Sequence, residues 1–249
     1  MAEDKQIVLY DIASAPPRTC YAPNPWKARY ALNFKGVDYR TSWVEYLDVT
    51  RTRKELGVPP CRFHADGSPF YTLPVIQDLS NGGALVGDTF DIAVYLDKQY
   101  PDGPTLIPAR SAAVFRAFNK QMDALFTSTV LLWCQGITFQ PDQEDEAKAQ
   151  FSARVGGTPY EDITVRGEAR TELLEASKEK LGELAELFRD PEQPFLEGAE
   201  ATYADIIIGG WLTTMSITLP KDDWTEIKTW HDGRWGKLYS GLQKYAEVR

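Results

Sequence analysis

The stretch TYADIIIGGWLTTM, residues 202–215, is apolar on nearly every side when wound as a helix. Such a helix has no face to give to water, so it must lie at the centre of a packed domain. Thr202, followed three positions later by Asp205, resembles a capping box with aspartate in place of glutamate, and this sets the helix start. Whatever surrounds the helix must act as cover. One stripe of Phe115, Phe118, Met122, Leu125, Phe126, Thr129 and Trp133 fits a single long helix, and another of Leu174, Leu181, Leu184 and Phe188 fits a second. A last helix is expected from about Gly233 to Val248. Residues 140–167 are acidic and broken by Gly156, Gly157 and Pro159, and they read as a mobile or irregular crossing with no assigned element.

The first hundred residues have a different character. IVLY, from Ile7 to Tyr10, is a short buried strand ending at Asp11 and the pair Pro16-Pro17. Asn24 before Pro25 suits a helix cap followed by proline at the first helical position, so a helix is expected from Pro25 to Phe34, stopped by Gly36. Tyr39 to Val44 alternates as a second strand, which completes a βαβ unit. A short helix near Arg51 to Leu56 leads into a long loop with a turn at Asp66-Gly67. PVIQD and ALV then form a hairpin across residues 80–83, and a helix capped near Asp88 follows. The prolines and glycine between 101 and 108 mark a linker.

Charge and composition narrow the function. With 249 residues, 43% of them hydrophobic, the chain can bury two modest cores. A formal charge of -9 repels phosphate backbones, so no nucleic-acid partner is expected. No apolar run reaches the ~20 residues of a membrane span, and no membrane role is expected. A cytoplasmic protein fits best, the acidic start MAEDKQIVLY having no signal-type core. Cys20, Cys61 and Cys134 are widely spaced, and His64 and His231 are the only histidines, so neither a disulfide framework nor a metal site is expected.

Two local patterns carry chemistry. In TLPVI, a cis bond between Leu73 and Pro74 would turn the chain and leave the backbone groups of Leu73 free to take up a peptide as an added strand. In GDT, residues 87–89, the Thr89 hydroxyl and a helix N-terminus suit a carboxylate, while Asp88 can pair with an amine. A peptide with an α-amino-acid head satisfies both patterns, and glutathione is such a peptide.

With these motifs and FLEGAEATYADIIIGG in the same order and spacing, the chain resembles the cytosolic glutathione transferases over nearly its whole length. YAPNPWKARYALNFKGVDYRTSWVEYLDV is similar to the fungal FuA class, related to the bacterial lignin β-etherases. The resemblance implies an α/β plus all-α architecture: a thioredoxin-like glutathione-binding domain over residues 1–101 and an all-helical domain over 109–249. It also implies glutathione as cosubstrate, a homodimer, and a hydrophobic aromatic electrophile of the wood-derived aryl class, held by Tyr21, Phe118, Met122 and Phe126. Trp133 is open to the same role.

Those groups often read Ser-Pro-Asn where this chain has Ala22-Pro23-Asn24. A lost hydroxyl donor to the thiolate is worth ~2.7 to 4 kcal/mol, and a helix N-terminus returns only ~0.3 to 1 kcal/mol. Asn24 is therefore the expected catalytic substitute, through its amide and backbone N–H, with the Trp26 N–H beside it. Arg18, Lys27, Arg62 and His64 are candidates for the glycine carboxylate of glutathione. Cys20, two residues before Ala22, is weighed as a redox thiol and read as packed. Three functions stay open: a conjugating enzyme, a ligandin that holds glutathione and polyphenols with little chemistry, and an interaction module.

Overall fold

The fold is a computed structural model that describes residues 6–17, 20–64 and 66–249. Strand β1 (Ile7–Ala13), helix α1 (Pro23–Lys35) and strand β2 (Tyr39–Glu45) form the expected βαβ unit, with β1 and β2 parallel in register Ile7 to Tyr39. Helix α2 (Val49–Glu55) leads to a two-stranded ribbon, β3 (Arg62–Phe63) and β4 (Pro69–Phe70). Strands β5 (Val75–Asp78) and β6 (Ala84–Gly87) form the hairpin, and helix α3 (Thr89–Gln99) follows. The main sheet runs β2-β1-β5-β6, with β5 antiparallel to both of its neighbours.

Beyond residue 111 the described elements are helical. Helix α4 (Ala112–Thr127) stops earlier than its apolar stripe implies. The Ser128 and Thr129 hydroxyls donate back to the carbonyls of Leu125 and Phe126, at 2.6 and 2.7 Å, and the chain continues in 3-10 turns. Thr129 and Trp133 thus lie past the helix. Residues 140–167, expected to be irregular, contain helix α5 (Glu144–Arg154), whose first turn carries Glu144, Asp145 and Glu146 against the positive end of its dipole. Helix α6 (Gly167–Ala185) provides the second stripe, with Phe188 just beyond its end.

Helix α7 (Tyr203–Thr218) is the buried centre. Its start is held as expected: Asp205 accepts from the N–H of Thr202 at 2.7 Å and also from the N–H of Leu196 at 2.8 Å. Helix α1 packs directly on α7, and Gly210 makes that approach possible. A Cβ at Gly210 would stand 2.7 Å from the Pro23 carbonyl oxygen and 2.6 Å from Lys27 Cγ. Helix α8 (Lys221–Ile227) and helix α9 (Trp230–Leu242) close the fold. The backbone of α9 is left-handed at His231, Asp232 and Gly233, so regular helix begins near the expected Gly233. It ends short of Val248, and the tail lies against β2, with the Thr41 N–H donating to the Arg249 carbonyl at 2.8 Å.

Because α1 is covered by α7 on one side and the sheet on the other, its charges are buried and paired. Arg29 meets Asp11 at 2.6 Å, and Lys27 meets Asp123 and Asn119 on α4. Burial draws the Lys27 ammonium down, and Asp123 acts to hold it up. The Lys27–Asp123 pair ties the sheet half of the molecule to the helical half. Among the described residues no helix is long and apolar enough to cross a membrane.

Candidate functional site

A cleft of about 870 Å³ opens between the start of α1, the segment before β5, the β6–α3 turn and one face of α4. Its chemistry begins at α1. Ala22 is the cap residue, with extended backbone and no side-chain hydrogen bond, and Pro23 is the first helical residue. Asn24 therefore sits one position inside the helix and is not its cap, a correction of two residues at the helix start. Proline at the first position needs no N–H and has φ already set, so Pro23 can open the helix as well as Pro25 can. The same two prolines remove two first-turn donors. The Trp26 N–H, expected to face the ligand, is used up in a 3.2 Å bond to the Ala22 carbonyl. Asn24 is left as the first-turn residue with an N–H to offer. Its side-chain amide oxygen is buried and finds no partner among the described residues.

Across the cleft the Leu73-Pro74 peptide bond is cis. Leu73 lies outside the β5 ladders and lines the cleft, while Pro74 itself is buried behind it. Next to it is Asp88, at φ 72° and ψ 141°, a backbone region that costs a non-glycine residue ~1 to 3 kcal/mol. Asp88 stands at the cap position of α3, yet its carboxylate makes no capping bond and lines the cleft instead. Burial pushes this carboxyl above the usual aspartate range, and the Arg53 guanidinium acts in the opposite direction. Thr89, also on the cleft, is anchored from α7 by the Tyr203 hydroxyl, which donates to its carbonyl at 2.9 Å.

The third wall corrects the expected substrate contacts. Arg116, Asn119, Lys120, Asp123 and Thr127 of α4 face the cleft at helical spacing. Phe118, Met122 and Phe126 are on the inward side: Met122 and Phe126 are buried, and Phe126 stacks on Trp211 with centroids 5.5 Å apart. Phe118 packs against the core. Tyr21 is also buried and away from the cleft, its phenol pushed well up by burial. The aromatic residues that do line the cleft are Phe70, Phe90 and Trp211, the last two largely buried, with Arg116 over the Phe90 ring at 4.4 Å. Asp123, shared between wall and interior, accepts from Lys27 and from the Trp211 indole at 3.0 Å.

The remaining candidates divide in the same way. Trp26 is a core side chain whose indole N–H donates to the Cys20 carbonyl at 2.6 Å. His64 is exposed on the β3–β4 ribbon against Phe70 and does not line the cleft, whereas Arg62 does, with its guanidinium 4.4 Å from the Phe70 ring centroid. Lys27 is committed to Asp123, and Arg18 lies outside the described residues. Cys20 is fully buried, with its thiol pushed well up by burial and by Asp11, the state of an inert cysteine. Cys61 was not singled out by any sequence pattern, but its thiol lines the cleft, pushed up to about 11 by burial and then by Asp88.

A single cleft thus presents a carboxylate that an amine could meet, a main-chain edge at Leu73 that no ladder among the described residues uses, and a helix N-terminus with the Asn24 N–H for an anion. Two family models match the chain: "Glutathione S-transferase, N-terminal domain" over residues 21–99, and "Glutathione S-transferase, C-terminal domain" over residues 109–245. Among solved structures, a glutathione S-transferase of Ceriporiopsis subvermispora, CsGST63524, in complex with glutathione, is 35% identical with TM-score 0.87, covering 98% of both chains. GSTFuA3 of Phanerochaete chrysosporium is 30% identical with TM-score 0.85, again over 98% of each chain. The glutathione S-transferase-like protein ustS of Aspergillus flavus is 28% identical over 98% of this chain and 92% of its own length.

Proposed function

The chain belongs to the glutathione S-transferase family, and from that premise we propose that it binds glutathione in this cleft and transfers the sulfur to an aromatic electrophile. The observation that carries the reading is Asp88. It holds a costly backbone conformation at a helix start without capping the helix, and its carboxylate, with the Cys61 thiol as hydrogen-bond partner, faces the cleft where a ligand amine can reach it. With the γ-glutamyl ammonium on Asp88 and the cysteinyl backbone along Leu73, the thiol would reach toward the mouth of α1. The thiol proton leaves to solvent, and the Asn24 side-chain NH2, which Asn24→Ala removes, stabilises the thiolate together with the Asn24 backbone N–H and the α1 dipole, which that variant keeps. The sulfur then donates its electron pair to the electrophilic carbon; a C–S bond forms, and a leaving group departs with the pair that bound it.

Phe70, with the edges of Phe90 and Trp211, supplies apolar contact for an aromatic ring, while Asn119, Lys120 and Thr127 supply hydrogen-bonding groups. This combination favours ring systems bearing oxygen substituents, such as wood-derived aryl compounds and polyphenols. A ligandin is the second reading, favoured by Ala22, which puts a methyl group where a hydroxyl donor would stand. A cytoplasmic homodimer belongs to the proposal as well. It is supported by the free thiols and by the exposed Val94 on α3 and Val114 on α4, apolar positions that a second copy could cover.

The test is an ultraviolet titration of the thiol of bound glutathione, in the wild-type chain and in Asn24→Ala. A pKa at least one unit below the ~8.5 of a free thiol, restored toward it by Asn24→Ala, supports the enzyme. Tight binding with an unshifted pKa selects the ligandin.

A further inference from the structure

Arg53 lies on α2, outside the cleft, and is 2% exposed. Its side chain nevertheless meets three segments that build the cleft. Nε donates to the carbonyl of Pro59 at 2.8 Å, at the head of the loop that carries Cys61 and Arg62. One terminal nitrogen donates to the carbonyl of Thr72 at 2.6 Å, one residue before Leu73. The other lies against Gly87, where a Cβ would stand 2.5 Å from it and 2.7 Å from Val58 Cγ1. The glycine of GDT is thus the residue type that lets a guanidinium close against the end of β6, next to Asp88. A planar fork with five donors can serve two carbonyls and still face a third segment, and an ammonium cannot.

The three contacts have different consequences. Those to Pro59 and Thr72 are braces, which neutral donors could replace. The contact at Gly87 places a full positive charge behind a carboxylate that burial disfavours and that, having no capping bond, is otherwise held by the Cys61 thiol alone among the described groups that favour its ionised form. We propose that Arg53 is a positioning residue for glutathione, holding the ionised Asp88 carboxylate toward the cleft from behind so that it meets the γ-glutamyl amine. This rests on the glutathione reading given above.

The test uses the full chain with Arg53→Met, Arg53→Lys, Gly87→Ala and Asp88→Asn. Dissociation constants are measured by calorimetry for glutathione and for an analogue that lacks only the γ-glutamyl amino group, and circular dichroism checks folding. Arg53→Met is expected to weaken glutathione about tenfold, the usual scale for a partner one shell behind a ligand contact. The analogue, which does not use Asp88, should change much less, and Arg53→Lys should recover part of the loss. The thiol pKa of the saturated complex should not move, because α1 is untouched. Gly87→Ala, which pushes the guanidinium aside, should repeat the pattern and replaces Arg53→Met if that variant does not fold. The proposal is overturned if the folded variants bind glutathione as the wild type does, or if they lose both ligands equally, which would make Arg53 a brace alone. Wild-type protein that fails to bind glutathione, or Asp88→Asn that binds it unimpaired, overturns the glutathione reading itself; a weakened Asp88→Asn beside an unaffected Arg53→Met overturns only the role of Arg53.

Discussion

Replacing Ala22 by serine asks whether the sulfur sits at the mouth of α1. Ala22 is the cap of that helix, and a serine there normally accepts from the N–H of the second or third helical residue. The third is Pro25, which has no N–H, so the new hydroxyl can cap only through Asn24. That N–H is also the one proposed to face the thiolate. The serine therefore adds an O–H donor to the sulfur while drawing the Asn24 N–H toward itself. A hydrogen bond to a charged group is worth ~1.5 to 3 kcal/mol, and a hydroxyl in an oxyanion-like site ~2.7 to 4 kcal/mol, so the difference left is about 1 kcal/mol.

Ala22→Ser should accordingly lower the pKa of the bound thiol by about one unit and raise kcat about tenfold. The cap itself should add ~0.5 to 1 kcal/mol of stability, a Tm rise of about 1 to 4 °C for a chain of this size. Thiolate absorbance in a pH titration, steady-state conjugation of an activated aryl halide and a thermal melt measure the three effects separately. A higher Tm with unchanged thiol pKa and kcat would refute the placement: the serine would be capping a helix whose N-terminus does not hold the sulfur.

Glutathione affinity should depend on pH through Asp88. Burial raises its pKa above the usual 3.8, with Arg53 and Cys61 acting against that rise and Asp91 and Asp123 adding to it. An ammonium ligand favours the ionised form, so affinity is full above this raised pKa and falls as pH drops through it, starting higher than for an ordinary aspartate; calorimetry across the acid range should show the fall, and Asp88→Asn should flatten it. The linkage of Asp88 to folding without ligand has the opposite sign, its contribution being present below the unfolded pKa and lost as pH rises through the folded one. Gly210→Ala should cost ~1 to 3 kcal/mol in denaturant unfolding, because its Cβ would meet the Pro23 carbonyl oxygen and Lys27. By shifting the first turn of α1 it should also raise the pKa of the bound thiol. Phe126→Ala should cost ~3 to 5 kcal/mol while leaving the glutathione dissociation constant of the folded protein unchanged, as expected of a buried ring stacked on Trp211. A large change in that constant would place Phe126 in the ligand site after all.

The legible elements are those whose patterns are bounded by their own chemistry. The hairpin from Val75 to Gly87 is framed by Pro74 and by Gly82-Gly83, and α7 announces itself by being apolar all round behind a Thr202–Asp205 cap. Helix α5 carries no such signal: of its residues only Ala147 and Ser152 are buried, so there is no stripe to read. The start of α1 was displaced for a related reason. Two prolines two residues apart both satisfy the first helical position, and the cap preference of Asn24 pointed to the wrong one.

The cleft shows a deeper limit. An apolar stripe reports which side of a helix faces the interior, and Phe118, Met122 and Phe126 report it correctly; the cleft wall of α4 is a different side, where Asn119 and Asp123 look like any solvated polar residues. What turns that side into a wall is α1, fixed to α4 by Lys27 at a separation of 96 residues. Leu73 and Asp88 are legible as cleft residues because the features that place them there, the cis bond to Pro74 and the start of α3, lie within one or two residues of them. Asp123 and Trp211 owe their places to partners 88 and 96 residues away, and Arg53 owes its place to Thr72 and Gly87 as well as to nearby Pro59, so no local pattern singles them out before the segments are packed together.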